Sequence, residues 1–337
     1  MSRLEALPGE IGGRPFDVAE AALAGVSSSR LLGRDLHRPS RGLRVPKSIP
    51  PDLAALVRSH TRLDPDTFGS LITAAEILEL PLPPWAEFRP DDGGPVTAVV
   101  EPPPWGKKSG AHFREPGRFL HLSRRGGGTL PRRRGIAGHR LKVRDGDLIN
   151  IDGLRLTSVA RTWVDLGSVL PLEDLIVAGD AIVSEHARTF GEPKRPMVPL
   201  PELREFVAGA NGIHGVRKAR EALEQLRVGV DSPPETRLRL MLDDAGLPEF
   251  SPNCRVDDAL GRAIWTDLGC ARFRTCLEYE GLHHLTPEQQ ALDSHRDQRV
   301  VEAGWRQVKI NRIDMDYGPE WVVSRVKQAL RKQGWRR

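Results

Sequence analysis

The chain has 337 residues, of which 39% are hydrophobic and 28% are charged, enough for two or more domains with a sizeable core in each. No apolar run is long enough to span a membrane. The first eight residues carry an acid and a proline where a signal peptide needs an apolar stretch. We therefore expect a cytoplasmic protein with no membrane partner.

The three cysteines, Cys254, Cys270 and Cys276, are too few and too irregularly spaced for a disulfide framework or a zinc site, and we expect them to be buried. A net charge of +5 permits nucleic-acid binding without requiring it. The basic residues concentrate in one stretch: Lys107, Lys108, Arg124, Arg125, Arg132, Arg133, Arg134, Arg140, Lys142 and Arg144. That stretch fits a solvated, flexible face and a phosphate-binding surface equally well.

The N-terminal region predicts two short helices and a ribbon. Residues 16–24 form the first predicted helix, 27–36 the second after a serine cap, and 41–46 a strand. This order fits a winged helix-turn-helix, although an ordinary helical hairpin is the alternative. Arg30 and Arg34 on the second helix are candidates for binding DNA phosphates, or they face water.

The middle of the chain predicts a mixed α/β region without a constellation that suggests chemistry. Residues 51–80 look helical and 81–104 form proline- and glycine-rich loops. Predicted strands are 96–101, 119–123, 147–151 and 153–157, and predicted helices are 159–166, 172–181 and 216–226. Residues 191–201 form a polar, proline-rich break.

The C-terminal part begins with a helix that has a clear start signal. Ser232 is a suitable N-cap, Pro233 suits the first helical position, and Glu235 stands where a capping box places its acid. Taken alone, Glu235 therefore favours a capping role. Gly246 ends the helix.

Three predicted strands follow, at 250–256, 263–269 and 275–280. A four-residue loop at 271–274 places Cys270 opposite Thr275 and Asp267 opposite Glu278, and alternation places Glu280 on the same face as Glu278. Such crowded carboxylates hold protons or bind a cation, and hard oxygen ligands suit Mg²⁺ or Mn²⁺. The alternative is a solvent-facing hairpin whose acids repel weakly.

Further along, a turn directs His283 and His284 back toward the acids, and a helix then runs from a cap at Thr286 to Gly304. A strand at 305–310 and a helix at 319–333 complete the region. The predicted order is helix, three strands, helix, strand, helix.

These residues resemble a known family. The order and its acids resemble the PD-(D/E)XK nuclease core, and more closely the very-short-patch-repair (Vsr)-like endonuclease domains, over about residues 231–315. The matching motifs are E-T-R-L-R from Glu235, D-L at Asp267, E-Y-E-G-L-H-H from Glu278, Q-x-x-x-D-x-x-R from Gln289, and A-G-W from Ala303.

The resemblance implies roles for particular residues. It makes Asp267, Glu278 and Glu280 metal ligands, Glu235 the helix acid that supports the metal or its water, and His284 a base or leaving-group acid. It implies substrate contacts from Gln289, Asp293 and Arg296, with a helix pair between Asp293 and Arg296 as the alternative. Glu280 departs from the pattern, because many members of the superfamily have lysine there and this subfamily has aspartate.

The N-terminal region is similar to the winged-helix start of AbiEi-like antitoxins, through the segments Ala74–Pro83 and Leu154–Leu166. We thus predict an α/β multidomain protein: a winged helix at 1–50, a mixed α/β domain at 51–228 and an αβββαβ nuclease domain at 229–337. The predicted function is Mg²⁺- or Mn²⁺-dependent DNA endonuclease. The alternatives are a non-catalytic DNA-binding regulator with a degenerate nuclease fold, and a toxin–antitoxin or repair component with a protein partner.

Overall fold

The computed structural model describes residues 5–39, 41–49, 52–87, 119–126, 129, 135–186, 193–281 and 287–336, with the backbone alone at 287–291. The chain is a mixed α/β protein that divides into two compact units. The first comprises Met1–Leu170 and Ala210–Arg217, and the second comprises Pro171–Gly209 and Lys218–Arg337. No helix among the described residues has the length and apolar character needed to cross a membrane.

The first unit begins with a small antiparallel sheet in the order β1-β3-β2. Its elements are α1 (Gly9–Gly12), β1 (Phe16–Asp17), α2 (Val18–Leu23), β2 (Leu36–His37) and β3 (Leu43–Pro46). A capping box between Asp17 and Glu20 starts α2, so the first predicted helix is confirmed in shortened form.

The second predicted helix, at 27–36, is wrong. Only a single 3₁₀ turn, Arg30–Leu32, forms there, and β2 follows. The Arg30 side chain is buried and donates hydrogen bonds to the Asp35 carboxylate at 2.9 and 2.6 Å and to the Glu5 carbonyl at 2.5 Å. A Cβ at Gly33 would meet Arg30 and Asp35 atoms at 2.5 Å, so the turn closes tightly on this ion pair and does not extend into a helix.

A five-stranded sheet in the order β6-β5-β4-β8-β7 forms the rest of the first unit. Its elements are α3 (Leu53–Leu63), β4 (Thr67–Gly69), α4 (Leu71–Ile77), β5 (Leu120–Arg124), β6 (Ile136–Arg140), β7 (Leu148–Ile151), β8 (Leu154–Thr157) and α5 (Val159–Leu166). The prediction of a helical stretch over 51–80 missed β4, which lies at the centre of this sheet. The predicted strand at 96–101 lies outside the described residues.

The second unit contains a four-stranded sheet in the order β12-β11-β10-β9, in which β11 and β12 are parallel. Its elements are α6 (Leu172–Val183), α7 (Leu200–Gly209), α8 (Val216–Leu223, whose first two residues belong to the first unit), α9 (Pro233–Asp244), β9 (Ser251–Asp257), β10 (Ala263–Cys270), β11 (Thr275–Glu280), α10 (Pro287–Glu302), β12 (Arg306–Asn311), α11 (Arg312–Asp316) and α12 (Pro319–Lys332). The predicted order of helix, three strands, helix, strand and helix is confirmed, with α11 inserted before the last helix.

Two apolar clusters hold helices on this sheet. The larger cluster includes Leu277 of β11 and side chains of α9 and α12, and the smaller includes Cys276 of β11 and Val300 of α10. Because Cys276 and Leu277 are neighbours in one strand, they point to opposite faces of the sheet. Helix α9 therefore packs on one face and α10 on the other. Glu278 and Glu280 alternate with Leu277, so they lie on the face that α10 covers.

Helix α6 is tied to α9 by a buried polar network. Asp180 accepts hydrogen bonds from the Thr236 hydroxyl and an Arg239 guanidinium nitrogen, both at 2.9 Å, and from the Arg227 backbone N–H at 2.8 Å. Asp180 and Arg239 are almost completely buried. Residues upstream of 229 thus help to fix the helix that bears Glu235. The predicted domain limits at 50 and 228 stay predictions.

Candidate active site

Glu235 occupies the first turn of α9 and is buried. Its carboxylate accepts a hydrogen bond from the Ser232 hydroxyl at 2.7 Å and one from the Asp231 backbone N–H at 3.0 Å. The side chain of Ser232 makes no capping hydrogen bond to the helix backbone. The expected capping box is therefore absent, and the N-cap serine serves to orient the glutamate.

The hairpin between β10 and β11 sets the position of Asp267. A 3₁₀ turn and the left-handed Arg274 connect the strands, and Cys270 pairs with Thr275, which confirms the predicted four-residue loop. The pairing of Leu268 with Leu277 brings Asp267 to the level of Glu278 at the next step. Asp267 Oδ2 accepts a hydrogen bond from the Tyr279 backbone N–H at 2.7 Å.

Burial and the charge of Asp267 act together on two glutamates. Burial, followed by the negative charge of Asp267, raises the pKa of Glu278 to about 8, even though Arg296 acts in the opposite direction. The same two causes raise the pKa of Glu235 to about 7. The negative charge of Asp267 thus opposes the ionisation of both glutamates, which links Glu235, the acid that the resemblance added, to the predicted pair of Asp267 and Glu278.

Arg296 approaches this cluster from α10. Its Nη2 donates a hydrogen bond to Glu278 Oε1 at 2.8 Å and another to the Trp265 carbonyl oxygen. The alternative pairing of Arg296 with Asp293 is not formed, because Arg296 turns toward the sheet while Asp293 is exposed. The guanidinium thus orients a predicted metal ligand and offsets its charge.

Glu280 is held apart from the other acids. Its carboxylate is half exposed and lies 2.9 Å from Nζ of Lys309 on β12. The same ammonium lies 2.6 Å from Asp297 of α10, and Asp297 also accepts a hydrogen bond from Gln307 at 2.9 Å. Burial alone would lower the pKa of Lys309, but these bonds to Asp297 and Glu280 raise it, so the lysine stays charged at neutral pH.

Sequence reasoning missed Lys309 and Asp297. Lys309 pairs with Glu278 in the parallel ladder, so the two side chains stand side by side across adjacent strands. A signal was present in the sequence, since polar Gln307 and Lys309 alternate with apolar Val308 and Ile310 along a strand. Which acid these side chains meet depends on the register, which the sequence alone did not supply.

Other predicted site residues lie outside this cluster. His284 and its neighbour His283 are outside the described residues, and Gln289 is described only as part of the α10 backbone. Arg34 is exposed, whereas the burial of Arg30 does not fit the phosphate contact predicted for it.

Of the basic stretch, Arg124 is paired with Asp64 and Asp66, and Arg125 with Asp145. Lys107, Lys108 and residues 132–134 lie outside the described residues. Arg124 and Arg125 are therefore paired with acids, as residues of a solvated face would be.

The acids suit a divalent cation in chemistry, although they do not form a complete protein cage. Among the described residues, no group of three or more histidine, cysteine, aspartate or glutamate side chains is arranged to hold a metal ion. Mg²⁺ needs fewer protein ligands than such a group provides, since it retains several waters and commonly takes one or two carboxylates together with substrate phosphates. Asp267 and Glu278 provide such a pair, and their mutual repulsion is what a cation would relieve.

Comparison with known proteins gives two partial matches. The chain is 28% identical over 130 residues to the Mycobacterium tuberculosis proteins "Uncharacterized protein Rv2248" (strain ATCC 25618 / H37Rv) and "Uncharacterized protein MT2308" (strain CDC 1551 / Oshkosh). Each match covers 38% of this chain and 48% of the relative, so the chain spans about half the length of the curated relatives that it matches. No family model and no solved structure matches the chain.

Proposed function

We propose that this protein is a cytoplasmic, metal-dependent endonuclease that hydrolyses DNA phosphodiester bonds with a PD-(D/E)XK core of the very-short-patch-repair-like kind. The observation that supports the proposal most is that Glu235 and Glu278 are both buried and that the charge of Asp267 opposes the ionisation of both. The order α9-β9-β10-β11-α10-β12, with β12 parallel to β11, agrees with the resemblance found in the sequence.

In this proposal Asp267 and Glu278 hold Mg²⁺ or Mn²⁺. The bound cation would polarise a phosphate oxygen and increase the acidity of a water molecule. Tyr279 N–H holds the Asp267 carboxylate in place, and Arg296 does the same for Glu278. Arg296 also keeps positive charge where a phosphate would approach.

Glu235 is the described side chain best suited to accept a proton from the attacking water. A general base works best when its pKa lies near the operating pH, and burial together with Asp267 raises the pKa of Glu235 to about 7. Its Ser232 and Asp231 hydrogen bonds fix the carboxylate while leaving it lone pairs for a water proton. The role of His284 as base or leaving-group acid remains the prediction from the sequence.

The second candidate is a non-catalytic DNA-binding regulator with a degenerate nuclease fold. The pairing of Glu280 with Lys309 favours it, because the third predicted ligand is engaged elsewhere. The burial of Arg30 weakens it, because that interpretation places DNA binding in the N-terminal region. A toxin–antitoxin or repair partner would be compatible with either candidate.

Incubation of the purified protein with supercoiled plasmid and Mg²⁺ or Mn²⁺ tests the proposal. We expect wild type to nick or linearise plasmid, EDTA to abolish this, and Asp267→Asn to reduce it at least ~100-fold, since removing one preorganised charge-stabilising group costs factors of that order. Asp316→Asn, at an exposed position on α11, is the matched control and should cleave like wild type.

Equal cleavage by Asp267→Asn and wild type would contradict the assignment of the site. Plasmid binding without cleavage in either metal would favour the regulator.

A further inference from the structure

Glu280 and Glu278 are close in the strand but differ in their surroundings. Two residues apart on β11, they share a face of the sheet. Glu278 is bound to Arg296 and its side chain is 11% exposed, whereas that of Glu280 is 49% exposed and is bound to Lys309. Lys309 thus separates two acids that alternation alone places together.

Lys309 is itself anchored from a second side. Asp297 of α10 lies 2.6 Å from its ammonium and is also bound by Gln307 of β12, so the lysine keeps a partner without Glu280. Lys309 also lines a hollow of about 250 Å³ together with Trp305 and Arg306.

We propose that Lys309 is a positioning residue that holds Glu280 away from Asp267 and Glu278 in the metal-free protein, and that a divalent cation draws Glu280 off Lys309 to become its third carboxylate ligand. The inference rests on the proposed function. A half-exposed ion pair contributes little net stability, so a doubly charged ion displaces it readily. The link to Asp297, shorter and less exposed, keeps Lys309 in place after Glu280 has left.

Calorimetric titration of the full-length protein with Mn²⁺ tests this without reference to cleavage. Lys309→Met should bind Mn²⁺ about two- to fivefold more tightly than wild type, because Glu280 is no longer engaged by the lysine. Lys309→Arg retains the charge and should bind like wild type. Thermal melting establishes that each variant is folded, and Lys309→Gln replaces Lys309→Met if the latter is not.

Loss of any nearby positive charge would also favour a cation, and two comparisons isolate the specific effect. Arg306 lies on the same strand and lines the same hollow, and the described residues show no ion pair for it. Arg306→Met removes this cation and should leave Mn²⁺ affinity within about 1.5-fold of wild type. In a Glu280→Gln background, which should itself bind Mn²⁺ more weakly, Lys309→Met should have no further effect.

Unchanged affinity in Lys309→Met, or an equal gain in the Glu280→Gln background, would overturn the role of Lys309 while leaving the proposed nuclease intact. Failure of wild type to bind Mn²⁺ at all would overturn the metal-dependent function and this inference together.

Discussion

Replacing Asp180 by alanine tests whether α6 is an integral part of the unit that contains the candidate site. The change removes the acceptor of three hydrogen bonds and leaves the buried Arg239 guanidinium with one remaining partner, Asp243, at 3.3 Å. Leaving a buried charge without its partner costs about 3–5 kcal/mol, a large fraction of the roughly 5–15 kcal/mol of a typical domain.

A control variant on the same pair of helices shows how much stability the loss of an exposed ion pair costs. Glu173 on α6 lies 2.6 Å from Arg237 on α9, but its side chain is 53% exposed. Glu173→Ala should therefore cost less than about 1 kcal/mol, as exposed ion pairs do. The double variant Asp180→Ala/Arg239→Met removes both buried charges and should be more stable than Asp180→Ala alone.

Urea denaturation followed by circular dichroism measures these differences as shifts of the midpoint at constant slope. The reasoning is refuted if Asp180→Ala costs less than about 1 kcal/mol, or if Asp180→Ala and Arg239→Met simply add in the double variant. Additivity would mean that the two side chains do not depend on each other for stability.

Three further predictions concern the same unit. A fragment of residues 229–337 should unfold at a lower urea concentration than one of 171–337, because it lacks Asp180; equal midpoints would contradict this. Gly269→Ala should destabilise by about 1–3 kcal/mol, because its Cβ would lie 2.4 Å from Cys254 Cβ, and Cys254→Gly should restore part of that loss in thermal melting. In EDTA, the free energy of unfolding should fall as the pH rises from about 5 to 8. The pKa values of Glu235 and Glu278 are about 7 and about 8 in the folded protein and near 4.5 in the unfolded chain. The protonated glutamates therefore stabilise the fold, and this stability is lost as they ionise. Denaturation at several pH values should show a loss on the order of a few kcal/mol that Glu278→Gln reduces, and an unchanged slope in that variant would contradict the assignment.

The C-terminal elements were predictable because each has a strong local signal. Pro233 and Gly246 delimit α9, and alternating apolar residues identify β10 and β11. In the N-terminal region the serine cap and apolar residues at 27–36 predicted a helix. A single turn forms instead, in which the buried Arg30 side chain binds Asp35 and, from 25 residues away in sequence, the Glu5 carbonyl. Strand β4 has only three residues, too few for a period to be recognised.

Some contacts of the candidate site could likewise be predicted from local sequence patterns, whereas others depend on the register between strands that are distant in sequence. The strand pairing that brings Asp267 to the level of Glu278 follows from a hairpin loop of four residues, and a local pattern is enough to predict that loop. The partner of Glu280 comes from β12, about thirty residues further along and joined in parallel through α10, so no short-range pattern specifies it. The alternation of β11 places the two glutamates on one face, yet Lys309 on the neighbouring strand binds one of them, and in our proposal it decides whether both act on the same ion. Under our proposal, the assembly of the metal site thus depends on Lys309, a residue outside the motifs that contain its acids.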